Sequence, residues 1–236
     1  MAMWDNIIFG QLPYVLIAIG IVGTIYRYAA NRFSWSSQSS EFLENKTLFY
    51  GSFPWHYGIL IILIMHIVVI FIPGAMLAWN SSPGRLYAFE IVGLALAFLA
   101  LFGLLMLFYR RLTNSRVRAV TTSWDILLLI ILIIQVVSGI GNAVLFKWGS
   151  SWYAATAVPW IWSVIIFKPS VANVANLPLV TKIHIFNAML FIAVIPFTRL
   201  VHILAFINPL KYLTREYQLV RWYSKKPRTD ALRQYK

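Results

Sequence analysis

The sequence predicts an all-α membrane protein, a polytopic bundle of five transmembrane helices. Apolar residues make up 60% of the 236 residues and charged residues only 11%. The apolar residues form runs of about 18 or more, instead of the narrow stripes that are typical of helices in soluble proteins. Because little charged sequence is left between these runs, the chain has no room for a soluble catalytic domain.

Five runs are long enough to cross a hydrocarbon core of about 30 Å, which takes roughly 20 helical residues. They lie near residues 7–27, 53–72, 86–109, 124–146 and 179–205. The first run lacks a basic flank before it and a small-residue cleavage pattern after it, so we expect a retained helix and not a signal peptide. Three runs contain glycines that favour close helix contacts, namely Gly20, Gly23, Gly93, Gly103, Gly139 and Gly141.

The fourth loop contains an apolar and aromatic segment from Trp152 to Phe167. At about 16 residues, and interrupted by Pro159, this segment is short for a membrane span. A sixth crossing would also move the basic tail to the outside. With its three tryptophans, the segment is predicted to lie in the outer membrane interface.

The positive charges predict the orientation of the bundle. The net charge is +13, and the basic residues lie mainly in residues 27–46, in residues 110–118 and after residue 205. The positive-inside rule places these parts in the cytoplasm and the N-terminus outside. This distribution explains the charge without nucleic acid. We expect a multi-pass protein of the cytoplasmic (inner) membrane, with a transmembrane domain at residues 1–205 and a basic cytoplasmic tail at residues 206–236.

Four histidines lie inside apolar runs, His56 and His66 on the second helix and His184 and His202 on the fifth. An ionisable side chain at membrane depth costs roughly 2.5 kcal/mol or more, so such residues indicate function. Two pairs on two helices suggest two bis-imidazole sites with haem as the occupant. Matching by depth pairs His66 with His184 near the outer face and His56 with His202 near the cytoplasm.

The two histidine separations differ by roughly 12 Å for straight helices, and Pro196 offers a kink that could absorb part of the difference. A continuous fifth helix would place His184 and His202 on one face, because 18 residues make five turns.

Cysteine is absent, which excludes disulfides, thiolate catalysis, cysteine-ligated iron–sulfur clusters and c-type haem attachment. Non-covalent haem b remains. A single zinc or copper centre is a poor alternative, because the two histidines of each helix lie more than about 10 Å apart along its axis. Two interpretations stay open, histidines that only bond to neighbouring helices and histidines of a proton relay.

Three arginines at the predicted cytoplasmic end are candidates for binding haem propionates, namely Arg199, Arg110 and Arg111. Arg199 lies three residues before His202, on the same helix face. Each of the three could instead extend its charged group from a helix end to the membrane interface.

Four motifs distributed over nearly the whole chain carry a family resemblance. They are Phe53-Pro-Trp-His56 with His66, Arg110-Arg-Leu followed by Arg116-Val-Arg-Ala-Val-Thr-Thr122, Pro196-Phe-Thr-Arg199-Leu-Val-His202, and Tyr212-Leu-Thr-Arg-Glu-Tyr-Gln-Leu-Val-Arg221 in the tail. Together they resemble the gamma subunit of respiratory nitrate reductase, a di-haem membrane cytochrome b.

This resemblance implies that quinol from the quinone pool is oxidised beside the outer haem and that its protons leave on the outer side. Electrons would pass to the inner haem and then to an iron–sulfur beta subunit and a molybdenum alpha subunit on the cytoplasmic face. The implied ligands are His66 and His184 for the outer haem and His56 and His202 for the inner haem.

The resemblance also implies a candidate quinol-site residue, Arg85, which stands where the family has a lysine at the start of the third helix. The charge is kept but the head group differs. Met65 replaces a glycine of the family beside the outer-haem ligand, so the quinol pocket should differ in shape. The tail from Asn208 to Lys236 mixes basic with aromatic and aliphatic residues, which favours docking on a partner subunit over binding of membrane lipids alone.

Other functions stay open at this point. The same cytochrome could serve a hydrogenase, a formate dehydrogenase or a heterodisulfide reductase, or carry electrons backwards in a nitrite-oxidising complex. A haem-free transporter or membrane scaffold would use the histidines for protons or packing. Glu90 and Asp125 are predicted close to an interface, which leaves few acidic groups at depth for a proton or cation pathway.

Overall fold

The computed structural model describes residues 2–31, 34 and 40–207. Five helices in this part are long and apolar enough to cross a membrane. They are α1 (Met3–Ala30), α2 (Lys46–Phe71), α3 (Pro83–Thr113), α4 (Ser123–Leu145) and α5 (Leu179–Phe197). The predicted all-α fold with five spans is therefore confirmed, while the orientation of the termini stays a prediction.

The chain divides into two units, Met1–His202 and Ile203–Lys236. All five spans and all four histidines belong to the first unit. The second unit contains the whole predicted tail, 206–236, whose residues after 207 lie outside the part that the structure describes.

The fifth helix is shorter than predicted. Its α-helical part, Leu179–Val194, is followed by a 3-10 turn, Ile195–Phe197, and by a 3-10 segment, Arg199–Ile207. Thr198 between them is extended, with φ −121° and ψ 178°. Pro196 lacks the N–H that would continue the α-helix. The prediction of one continuous helix over residues 179–205 is therefore wrong, and so is the single helical face that it gave to His184 and His202.

An arginine of α1 satisfies the backbone where α5 breaks. Arg27 Nη1 donates to the carbonyl oxygens of Pro196 and Thr198, both at 2.7 Å. Backbone carbonyls freed from a helix in apolar surroundings need such a donor. The packing of α1 against α5 therefore stabilises the break in α5.

Short helices connect the spans. They are Pro73–Asn80 between α2 and α3, Ser115–Ala119 between α3 and α4, and Gly149–Trp152, Val158–Ile165 and Ala172–Ala175 between α4 and α5. The aromatic segment of the fourth loop packs against the protein, with Trp160 Nε1 donating to the Phe9 carbonyl at 3.0 Å. It does not form a sixth candidate span in the described residues, and its position in the outer interface stays a prediction.

The five spans pack as an open series. α2 packs along α3, α3 on α4, α4 on α5, and α5 on α1. Among the described residues, α2 and α5 do not pack directly along each other. These two helices carry or lead to the four histidines.

Glycines allow the closest helix contacts. A Cβ on Gly103 would lie 2.4 Å from the Trp55 backbone nitrogen, and a Cβ on Gly58 would lie 2.7 Å from the Leu96 carbonyl oxygen. A Cβ on Gly20 would lie 2.8 Å from the Ile192 carbonyl oxygen. A Cβ on Gly93, in contrast, would meet only the tip of Met65, at 3.9 Å. The predicted contact role holds for Gly20 and Gly103 but is wrong for Gly93.

Candidate functional site

The imidazole rings of His56 on α2 and His202 after α5 lie close together, with centroids 6.3 Å apart and planes inclined by 62°. A ring that binds a metal through one nitrogen at about 2 Å has its centroid about 3 Å from that metal. Two imidazoles that bind one metal ion from opposite sides therefore have centroids about 6 Å apart. The separation of His56 and His202 fits a bis-imidazole pair.

Three of the histidines have the same tautomer, set by a backbone carbonyl. In each of them Nδ1 lies within hydrogen-bond distance of a carbonyl oxygen three or four residues earlier. The pairs are His56 with Ser52 at 2.7 Å, His66 with Ile62 at 2.8 Å and His202 with Arg199 at 2.6 Å. A carbonyl can only accept, so Nδ1 carries the proton and Nε2 keeps its lone pair. This is the arrangement that a metal-binding histidine needs.

His184 is held differently, from α4. Its Nδ1 lies 3.0 Å from Ser138 Oγ, and Gln135 Nε2 lies 3.1 Å from His184 Nε2. The pairing of His66 with His184 stays a prediction.

Tyr153 from the fourth loop covers His66. Their ring centroids are 5.1 Å apart, and the Tyr153 hydroxyl donates to the His66 carbonyl at 3.4 Å. Burial raises the pKa of Tyr153 to about 12, so the phenol stays protonated at neutral pH and acts as a donor. Sequence reasoning did not find this residue, because its position depends on how the fourth loop folds back.

Arg199 and Arg111 share one carboxylate. Asp125 is only 4% exposed and accepts from Arg199 Nε at 2.5 Å and from Arg111 Nη1 at 3.3 Å. Asp125 also forms a capping box with Thr122 at the start of α4. Two guanidinium groups against one carboxylate leave the cluster with a positive charge, which is compatible with an acidic group such as a haem propionate.

Arg110 has its partners within the protein. It is 3% exposed and donates to Glu44 Oε2 at 2.6 Å, to the Glu44 carbonyl, and to the hydroxyl and carbonyl of Ser40. Partial burial raises the pKa of the Glu44 carboxyl, but hydrogen bonds from Thr47 and Arg110 outweigh it and hold that pKa below its ordinary value. These contacts favour a structural role for Arg110, and its binding of a propionate stays a prediction.

Arg85 caps a short helix at the other end of the bundle. Its Nε donates to the Trp79 carbonyl at 2.9 Å, and its guanidinium lies 5.4 Å from the Trp79 ring centroid. A cation at the C-terminal end of Pro73–Asn80 is electrostatically favourable. Beside this turn lies a cavity of about 330 Å³. It is lined by Asn80, Pro83, Leu86, Tyr87, Trp148 and Ser151.

A polar cluster borders this cavity. Glu90 Oε1 accepts from the backbone N–H and the hydroxyl of Ser150, at 2.9 and 2.7 Å. Asn80 Nδ2 donates to Ser150 Oγ and Ser151 Oγ. The cluster fixes the start of the fourth loop against α3, close to where the loop reaches His66 through Tyr153.

The fold and the histidine geometry define a class of protein: a multi-pass helical membrane protein with paired imidazoles of the kind found in membrane b-type cytochromes. The nitrate reductase gamma subunit family matches residues 5–223. The chain belongs to this family and is a subunit of an oxidoreductase complex.

Curated relatives agree over nearly the whole chain. The nitrate reductase gamma chain of Bacillus subtilis (strain 168) is 36% identical over 222 residues, 93% of this chain and 99% of that protein. Two proteins of Escherichia coli (strain K12) are similar. The respiratory nitrate reductase 2 gamma chain is 32% identical over 94% of this chain and 99% of its own length, and the respiratory nitrate reductase 1 gamma chain is 33% identical over 90% and 95%.

Proposed function

We propose that this chain oxidises quinol near the outer face of the cytoplasmic membrane and passes the electrons through two b haems to the soluble part of a nitrate reductase. The soluble part would be an iron–sulfur beta subunit and a molybdenum alpha subunit on the cytoplasmic face. The two protons of quinol would be released outside. Membership of the gamma subunit family supports the nitrate reductase assignment.

The single observation that carries the proposal is the spacing of the His56 and His202 rings, 6.3 Å between centroids. With Nδ1 of each ring bonded to a carbonyl, both Nε2 lone pairs are available to one iron. His66 and His184 form the second pair. Haem supplies one-electron redox chemistry when bound, and the protein's part is to hold four imidazoles in their coordinating tautomer.

The packing of the spans is compatible with a large occupant such as haem between α2 and the end of α5. In the described residues α2 packs along α3, and α5 packs on α4 and α1, whereas α2 and α5 do not pack along each other. His56 and His202 would hold the group from these two sides.

The quinol site is proposed at the end of the bundle that holds His66. Tyr153 against His66, the cavity beside Asn80 and the guanidinium of Arg85 all lie on elements of this end. Arg85 provides a fixed positive charge, and the cavity offers an apolar wall with a few polar groups, as ligand pockets do. The opposite end of the bundle carries the basic residues, which supports placing that end in the cytoplasm and the quinol site near the outer face.

The test uses the purified complex and four single variants, His56→Ala, His66→Ala, His184→Ala and His202→Ala. Haem would be extracted and counted against protein, and reduced-minus-oxidised spectra recorded. We expect two haems in the native protein and one in each variant, with His56→Ala and His202→Ala losing the same haem. A folded native protein without haem, or variants that all keep two, would overturn the proposal.

The partner assignment has its own test. Co-purification with a molybdenum subunit, identified by metal analysis and by nitrate reduction with a quinol donor, is the expected result. A stable complex with a hydrogenase, formate dehydrogenase or heterodisulfide reductase module would contradict this part and leave the haem assignment intact. Reduction potentials of both haems relative to the quinone pool would establish the direction of electron flow.

A further inference from the structure

We propose that Ser138 is a positioning residue for His184, which fixes the imidazole tautomer from a neighbouring helix and thereby lowers the reduction potential of the outer haem. The inference rests on the proposed function, in which His184 is an axial ligand. Ser138 lies on α4 and is 8% exposed. It was not among the candidate site residues that the sequence suggested.

The Ser138 hydroxyl lies against two backbone carbonyls of α4, those of Ile134 at 2.7 Å and Gln135 at 3.1 Å, and against the His184 ring. This hydroxyl has one proton, and a carbonyl can only accept. With that proton donated to the backbone of α4, His184 Nδ1, at 3.0 Å from the same oxygen, is the donor. The ring proton then lies on Nδ1, and Nε2 keeps the lone pair for iron.

A second contact holds the plane of the same ring. Gln135 Nε2 is nearly equidistant from the two ring nitrogens, 3.1 Å from Nε2 and 3.3 Å from Nδ1. An in-plane position between them would overlap Cε1, so the amide nitrogen lies over the face of the imidazole. The lone pair of Nε2, which lies in the ring plane, is left open.

The orientation of Gln135 is itself determined by a relay. Asn187 Nδ2 donates to the Ile131 carbonyl at 2.9 Å and to Gln135 Oε1 at 2.7 Å. Because Gln135 Oε1 is thus the acceptor, its NH₂ group must face His184. Asn187 and the Ile131 carbonyl therefore determine how Gln135 is oriented, and Gln135 in turn holds the plane of the His184 ring.

This support differs in kind from that of the other three histidines. Each of those donates to a carbonyl of its own chain segment, which no side-chain substitution removes. The contact of His184 Nδ1 with Ser138 is made by a side-chain hydroxyl, which one substitution removes. A Cβ built on Gly139 would lie 3.1 Å from His184 Cε1, so the ring is also pressed close to the backbone of α4.

The electronic consequence follows from the hydrogen bond. An acceptor on Nδ1–H makes the imidazole a stronger electron donor through Nε2, which favours ferric over ferrous iron. Loss of the acceptor should therefore raise the potential of the haem that His184 binds. The inner haem, ligated by His56 and His202, should not respond.

The experiment compares Ser138→Ala, Ser138→Thr and Ser52→Ala in the purified complex, by potentiometric titration of the haem absorption and by electron paramagnetic resonance of the ferric haems. Ser52 is the matched control, because its hydroxyl lies 3.1 Å from His56 Nδ1 while its carbonyl already accepts at 2.7 Å. We expect Ser138→Ala to raise the reduction potential of one haem and to alter the resonance of that haem. Ser138→Thr should have the native potential and the native resonance. Ser52→Ala should change neither haem.

Loss of the outer haem in Ser138→Ala, with retention in Ser138→Thr, would also support the proposal. It is overturned if Ser138→Ala keeps two haems with native potentials, if both potentials shift equally, or if Ser138→Thr behaves as Ser138→Ala. Each of these results requires two haems in the native protein. A native protein without them would instead contradict the proposed function.

Discussion

The contact of α2 with α3 can be tested by adding a single methyl group, in Gly103→Ala. The new Cβ would lie 2.4 Å from the Trp55 backbone nitrogen, 2.6 Å from the Gly51 carbonyl oxygen and 2.8 Å from Trp55 Cβ. Two of these three atoms belong to the backbone, so rotation of a side chain cannot relieve the overlap. An ordinary carbon contact is about 3.5–4.0 Å, so the two helices would have to separate locally by about 1 Å.

The magnitude follows from two opposing effects. Replacing glycine by alanine inside a helix stabilises it by about 0.8–1.0 kcal/mol. Overpacking of a close contact typically costs about 1–3 kcal/mol, and a backbone overlap lies at the upper end of that range. The net destabilisation should be roughly 1–2 kcal/mol, which for a chain of this size lowers Tm by about 2–8 °C.

Gly93 on the same helix provides the matched control. Its added Cβ would meet only Met65 Cε, at 3.9 Å, so Gly93→Ala should keep the helix gain and match or exceed the native Tm. Both variants would be compared by thermal unfolding of the purified complex in one detergent, with haem content as a second measurement. Because Trp55 precedes His56, Gly103→Ala should also reduce occupancy of the inner haem. Equal Tm values for the two variants would refute the reasoning.

Three further predictions concern the charged residues. Asp125→Asn should lower stability by about 3–5 kcal/mol, because Arg111 and Arg199 lose their shared buried carboxylate, and an unchanged Tm would contradict the proposed cluster. The Glu44 pKa is held below its ordinary value, so the stabilisation by this carboxylate should be complete above about pH 5 and lost as the pH falls through the folded-state pKa. The Tm difference between the native protein and Glu44→Gln should accordingly be present at pH 7 and shrink on acidification, and a constant difference would be inconsistent with it. Arg85→Ala should impair quinol oxidation while both haems stay bound, and loss of haem in that variant would exclude a role at the quinol site.

The spans could be predicted because the length of an apolar run is a property of the sequence alone. The conformation at the end of α5 could not be predicted in this way. Pro196 signals a break, but whether the chain resumes as an α-helix or as a 3-10 segment depends on its surroundings. Here Arg27 of α1 donates to the carbonyls of Pro196 and Thr198. This contact exists only after the helices have packed.

The glycines illustrate the same limit. Gly93 and Gly103 lie on one helix in similar apolar sequence, yet only Gly103 lies against the backbone of α2. Ten residues on an α-helix place two positions about 80° apart around the axis. Which of them faces a neighbour depends on the rotation of α3, and the sequence pattern does not contain that rotation.

For the candidate site, the sequence identifies ionisable residues at depth but not their partners. The four histidines stand out because their cost in an apolar run indicates function. The three arginines also stand out, but the sequence does not show what they bind. Their carboxylate partners, Asp125 for two of them and Glu44 for Arg110, lie far apart in the sequence. Gln135 and Ser138 are polar residues in an apolar run and could have been noted from the sequence. Their contact with His184 on α5 could not have been predicted.

The arrangement separates the contacts that stabilise the bundle from the groups that would bind haem. α2 is anchored to α3 through glycine contacts, and α5 is anchored to α4 through Asn187 and to α1 at Gly20. These scaffold contacts do not include the histidines. Removing one imidazole should therefore abolish a haem without unfolding the chain, whereas Gly103→Ala should weaken the scaffold first and lose haem as a consequence. The order of these two losses on heating distinguishes a ligand from a packing residue.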